Sequence, residues 1–128
     1  MIDAVAVVAP YDRLNTAFSH VAGAYFMPPL SRLLSMVGLP LAAGETGVDL
    51  RNCSPAAAAA MLWPRPLLVV HAQNDAFIPF DCGQNVYDAA FQPKYNLWLE
   101  RGGHRDLLDN EALGAAMRRF FDRSASIL

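Results

Sequence analysis

Leu67-Leu68-Val69-Val70-His71-Ala72-Gln73-Asn74-Asp75-Ala76-Phe77-Ile78-Pro79 decides how this chain is read. Leu67–His71 is apolar without polar alternation, and Gln73-Asn74-Asp75 follows as a polar turn. Such a run predicts a strand buried on both faces, the habit of a parallel sheet. Trp63-Pro64-Arg65-Pro66 forces extended backbone on the way in. Two more strands are predicted, the first a run of the same kind. Ile2–Ala9, with Val at 5, 7 and 8, is ended by Pro10-Tyr11-Asp12. Tyr95–Leu99 precedes a glycine-containing loop from Arg101 to Asp106.

Helical spacing fills the gaps. Residues 13–37 carry Leu14, Phe18 and Val21, then Leu30, Leu33, Leu34 and Val37, and Pro28-Pro29 splits them into two helices. Gly38 to Gly47, with three Gly and one Pro, reads as a loop. Ser54-Pro55 predicts a short helix at about 55–62, with Ser as N-cap and Pro at the first helical position. Asp81 and Gln84 resemble a capping box opening a helix to about Phe91, whose inner face carries Val86, Tyr87, Ala90 and Phe91. Asp109 is the expected cap of the last helix, striped by Leu113, Ala116, Met117, Phe120 and Phe121. The order is β, helices, β, α, β, α. It predicts an α/β fold: three parallel strands with flanking helices in one domain.

Composition excludes several classes. Of 128 residues 54% are apolar and 17% charged, and mean hydropathy is +0.20, which rules out a charge-rich disordered chain. Lys and Arg number 10 against 12 Asp and Glu, a balance that offers no field for nucleic acid or anionic lipid. Two cysteines make neither a disulfide framework nor a usual structural zinc site, and no metal or cofactor is predicted. Pro10, Pro28-Pro29 and Pro40 break the apolar stretches below the roughly 18 residues of a membrane span. The expected location is cytoplasmic. So high an apolar fraction in so small a body suits a piece of a larger core, or a protein with a large interface.

In open parallel sheets chemistry gathers in the loops at the carboxyl ends of the strands. Here those loops carry Asp12, Asp75 and His104. Neighbouring strands lie about 4.8 Å apart, so the loops holding Asp75 and His104 can meet. A carboxylate beside an imidazole fixes its tautomer and stabilises its protonated form, as a general base requires. Gly102 and Gly103 let the backbone turn sharply and present His104. The competing reading makes Asp75 a turn cap and His104 an ordinary loop histidine.

The words around these residues go further. Residues 67–79 resemble the strand and loop that carry the triad acid in the α/β-hydrolase superfamily, with Ala72 where Gly is common. Gly102-Gly103-His104, after Tyr95-Asn96-Leu97-Trp98-Leu99-Glu100, resembles the loop of the triad histidine. Serine aminopeptidase-like and prolyl-oligopeptidase-like bacterial hydrolases are the most similar in these words. The resemblance covers nearly the whole chain as the C-terminal half of the fold, its strands equivalent to strands six to eight. It implies catalytic roles for Asp75 and His104, a lid-like helical insertion at 13–47, and an ester, amide or peptide substrate.

The nucleophile is missing from the pattern. The superfamily serine sits in a Gly-x-Ser-x-Gly turn, and the sequence contains none. Ser19, Ser31, Ser35, Ser54, Ser124 and Ser126 all lack that setting. Chain order in the superfamily is Ser, Asp, His, so the resemblance implies a serine upstream of Met1. This chain alone is therefore expected to be inactive. Cys82, in a first helical turn where the dipole can lower a thiol pKa, is a poor substitute; packing explains it and Cys53 better. Asp12 stands where some relatives carry the acid, but a turn cap accounts for it. His20 reads as a surface or packing residue, and His71 as a hydrogen-bonded structural histidine. His104-Arg105-Asp106 lacks a third partner for a metal. Arg118, Arg119 and Arg123 form the solvated face of the last helix. The alternative to a hydrolase part is an inert relic, or an interaction module pairing through its open sheet edge at Ile2–Ala9.

Overall fold

A computed structural model describes residues 2–125. Three parallel strands form one sheet in the order β1 (Val5–Val8), β2 (Leu67–Ala72), β3 (Lys94–Leu99). Val5 is in register with Leu67, and Leu67 with Lys94. Every residue of β2 is buried, as its apolar run predicts. β1 is shorter than Ile2–Ala9 and only half-buried, because nothing pairs its outer edge; Ile2 is exposed. Ala9 closes the strand at φ 47°, its N–H donating to Val70 O at 2.8 Å.

Side-chain alternation sends each strand into two cores. On one face Val5, Val7, Leu67, Val69 and Trp98 pack with α3 (Pro55–Ala60) and α4 (Phe80–Ala89) through Ala59 and Val86. On the other, Ala6, Val8, Leu68, Val70, Leu97 and Leu99 pack on Leu113 and Phe120 of α5 (Glu111–Ala125).

Several helix limits differ from expectation. α1 (Leu14–Tyr25) and α2 are divided at Pro28-Pro29, but α2 runs Pro28–Thr46, straight through Pro40 and the expected loop. Packing overrides the local signal. Ser31 and Leu39 are buried, and the bare Gly38 backbone lies so close to Phe18 that a Cβ there would stand 3.2 Å from its ring. Gly47, at φ 68°, ends the helix in the left-handed conformation glycine tolerates. α4 has no capping box: Pro79 holds the N-cap position, and Asp81 lies in the first turn without capping it. The cap of α5 is Asn110 rather than Asp109, because its Oδ1 accepts from the N–H groups of Ala112 and Leu113. Two expected inner-face residues point outward. Phe91 lies beyond the end of α4, and Phe121 is one step past the buried Phe120; both are exposed. Ser54 caps α3 as expected, accepting from Ala57 N–H at 3.2 Å.

Among the described residues no helix is long and apolar enough to cross a membrane, and no group of three or more metal-ligating side chains forms.

Candidate active site

Asp75 lies three residues past β2 and His104 five past β3, at the same end of the sheet. The Asp75 carboxylate uses both oxygens. Oδ1 accepts from Phe77 N–H at 2.8 Å and from Ile78 N–H at 2.9 Å, a turn closed by its own side chain. Oδ2 lies 2.8 Å from His104 Nδ1. The Asp75 side chain is buried, whereas His104 is 37% exposed. Burial works to raise the Asp75 carboxyl pKa; the Ile78 N–H, the His104 ring and the Phe77 N–H outweigh it and hold it below its ordinary value. An ionised Asp75 accepts only, so Nδ1 is the donor. In neutral His104 the Nε2 lone pair is then free for a proton. Phe77 and Arg105 flank the site: the Phe77 ring is 5.6 Å from the His104 ring, and Arg105 lies over Phe77.

The loop carrying His104 needs its glycines. Gly103 has φ 57° and Gly102 φ 146°, both left-handed, and a Cβ on Gly102 would stand 3.4 Å from the buried Leu107. A second bond joins the two loops: Asn74 Oδ1 accepts from Gly103 N–H at 3.0 Å.

His71 is fully buried beneath this pair. Its Nε2 lies 3.0 Å from Ile78 O and 3.6 Å from Asp75 Oδ2. Burial is the main influence lowering its pKa, although Ile78 O and Asp75 favour the proton. The ring is therefore neutral at pH 7, Nε2–H donates to Ile78, and the approach to Asp75 is not a salt bridge. Among the described residues its Nδ1 has no hydrogen-bond partner.

Among the described residues no hydrogen bond joins Asp12 to Asp75 or His104. Its carboxylate accepts from Arg13 N–H at 2.7 Å and from Asn85 Nδ2 at 2.9 Å, and its carbonyl from Ser54 Oγ at 3.0 Å. It ties the loop after β1 to α3 and α4. Burial opposes its ionisation, and the Asn85 and Arg13 donors win, lowering its pKa. Cys82 is packing material: it is buried with Ala17 and Ile78, and burial pushes its thiol pKa up despite the helix terminus. His20 has a contact that its sequence position does not announce. Its Nε2 lies 3.2 Å from Ala76 O, pinning α1 to the Asp75 loop. Asn74 and Asn85 are the residues to which sequence reasoning gave no role, and His20 is one it read as a surface or packing residue. A polar residue within a turn or on a helix flank was the only signal. Of the six serines, Ser126 lies outside the described residues. Ser31, Ser35 and Ser124 donate to carbonyls of their own helices.

No family model and no curated protein matches the chain. Among solved structures it is similar to the esterase domain of a Rhodothermus marinus protein, at 23% identity and a TM-score of 0.56, over 92% of this chain and 50% of that one. It is also similar to a Mycobacterium tuberculosis protein assigned as a non-heme bromoperoxidase, BpoC, at 19% identity and a TM-score of 0.58, over 96% of this chain and 59% of that one. The chain thus has a partial α/β-hydrolase fold and spans between half and three fifths of the length of these two structures.

Proposed function

We propose that this chain supplies the acid and the histidine of a serine-hydrolase triad, Asp75 and His104, for the hydrolysis of an ester, amide or peptide bond. One observation carries the reading: the 2.8 Å contact of Asp75 Oδ2 with His104 Nδ1, beside a carboxylate whose other oxygen is held by two backbone N–H groups. A base oriented in this way takes the proton of a serine hydroxyl at Nε2 as the hydroxyl attacks the acyl carbon. The imidazolium, stabilised by Asp75, returns that proton to the leaving group. Water, activated at the same Nε2, then releases the acyl group as an acid. Serine and oxyanion donors belong to a segment outside this sequence, in the same polypeptide or in a partner.

α1 and α2 serve in this reading as a lid-like element over the substrate. The His20 contact with Ala76 O and the packing of Ala17 on Ile78 support it, because both fasten α1 to the Asp75 loop.

The test is fluorophosphonate labelling in source cells, followed by capture with an antibody to α5. Label on a serine of a polypeptide that contains or accompanies this sequence, and loss of that label in His104→Ala, support the proposal. The isolated 128-residue chain should take no label. Captured material without label in the cells would overturn it in favour of an inert or edge-binding module.

A further inference from the structure

At the opposite end of the sheet from Asp75 and His104, a cleft opens where α5 crosses the starts of β2 and β3. Its volume is about 170 Å³. Pro66 and Leu68, Pro93 and Tyr95, and Ala116 and Phe120 make its walls, which are largely apolar. Tyr95 and Phe120 meet edge to face, with ring centres 6.0 Å apart, so the cleft has an aromatic side. A dry cavity of about 150 Å³ is enough for a benzene ring.

The charge at its rim is of one sign. Arg119 and Arg123 line the cleft, one helical turn apart on the same face of α5. Among the described residues no acidic residue lines it. Among the described residues neither guanidinium has a hydrogen-bond or ion-pair partner. The sequence reading of these arginines as a solvated face leaves the apolar floor beneath them without a role. Two arginines lining a ring-sized apolar slot match a small molecule with an apolar body and a carboxylate head, since the planar fork of Arg takes both oxygens of a carboxylate.

We infer that this cleft is a second binding site, for a small aryl or arylalkyl carboxylate. The ring lies between Leu68, Tyr95 and Phe120, and the carboxylate meets Arg119 and Arg123. The inference does not rest on the triad proposal, because no residue of the cleft belongs to that site.

The experiment is an NMR titration of the ¹⁵N-labelled 128-residue chain with 3-phenylpropionate, with 3-phenylpropionamide and with inorganic phosphate. Saturable shifts are expected at Leu68, Tyr95, Ala116, Arg119 and Phe120 with the acid. The amide should bind about tenfold more weakly, the loss of roughly one charge-assisted contact. The double substitution Arg119→Gln and Arg123→Gln, on an exposed helix face, should bring the acid down to the affinity of the amide. Ala116→Leu should fill the slot and block the acid while the rest of the spectrum stays in place. Equal affinity for acid and amide would overturn the inference, and so would phosphate binding as tightly as the acid. Shifts confined to other residues, or no shifts at all, would also overturn it.

Discussion

Asn74 Oδ1 accepts the Gly103 N–H at 3.0 Å, so the loop after β2 holds the loop after β3 by a bond separate from the contact between Asp75 and His104. The two bonds do different work. Asp75 sets which ring nitrogen of His104 carries the proton; Asn74 sets where the ring stands. Long-range ¹H–¹⁵N spectra at neutral pH should find neutral His104 protonated at Nδ1. Asp75→Ala should abolish that preference. Asn74→Ala should weaken it only in part, since it removes one hydrogen bond of about 0.5–1.5 kcal/mol. An unchanged His104 tautomer in Asp75→Ala would contradict the assignment of Asp75 as its acceptor.

Stability should fall with acid from two different onsets. The His71 pKa is lowered from its ordinary 6.5 in the folded chain, so the unfolded chain binds the proton first. Its contribution is fully present above 6.5 and is lost as pH falls from there toward the folded value. Asp12 and Asp75 are lowered from an ordinary 3.8, so their contributions persist above 3.8 and disappear as pH falls through the folded values. Urea denaturation across pH 3–8 should show both declines. His71→Asn should flatten the upper one alone, and Asp75→Asn should reduce the lower one.

Gly83 occupies a place in α4 where alanine would ordinarily help a helix by about 0.5–1 kcal/mol. Here a Cβ would meet the His71 ring, at 2.9 Å from Cγ and nearer still to Nδ1. The ring cannot retreat. It is fully buried, bonded to Ile78 O, and edged by Phe80 at 5.9 Å between ring centres. Gly83→Ala should therefore destabilise the chain by about 1–3 kcal/mol in urea denaturation, the range for overpacking. A stabilised variant would mean that His71 has room the structure does not give it.

β2 was legible because it is a contiguous apolar run bounded by turn chemistry, so local pattern and tertiary burial agree; β3 was legible from the turns that bound it, although as an edge strand it leaves Tyr95 and Asn96 exposed. Asp75 and His104 could be brought together on paper because adjacent parallel strands deliver their loops to one end of the sheet. α2 was not legible beyond Gly38. Pro40 and the glycines argue locally for a loop, and only the packing against Phe18 argues for a helix. The supporting polar contacts lie further out of reach. Asn85 meets Asp12 across 73 residues, and His20 meets Ala76 across 56. No periodicity marks such pairs, because each side chain alone is an ordinary surface residue.

β1 leaves a row of backbone groups without a strand beside them, the usual seed of edge-to-edge pairing. The N–H groups of Val5 and Ala9 point inward to Pro66 O and Val70 O. By alternation those of Ala6 and Val8 point outward. The isolated chain should therefore self-associate through residues 2–9, with a sedimentation coefficient that rises with concentration. Ala6→Pro removes one outward donor and spares the inward bonds of Val5 and Ala9, as proline on an edge strand can. It should shift the chain toward monomer by at least severalfold in dissociation constant while the circular dichroism spectrum holds. A monomer in the unsubstituted chain at high concentration would show that the short, half-buried β1 does not pair; association unchanged by Ala6→Pro would move the contact elsewhere, first to the exposed Leu33, Met36 and Leu41 of α2.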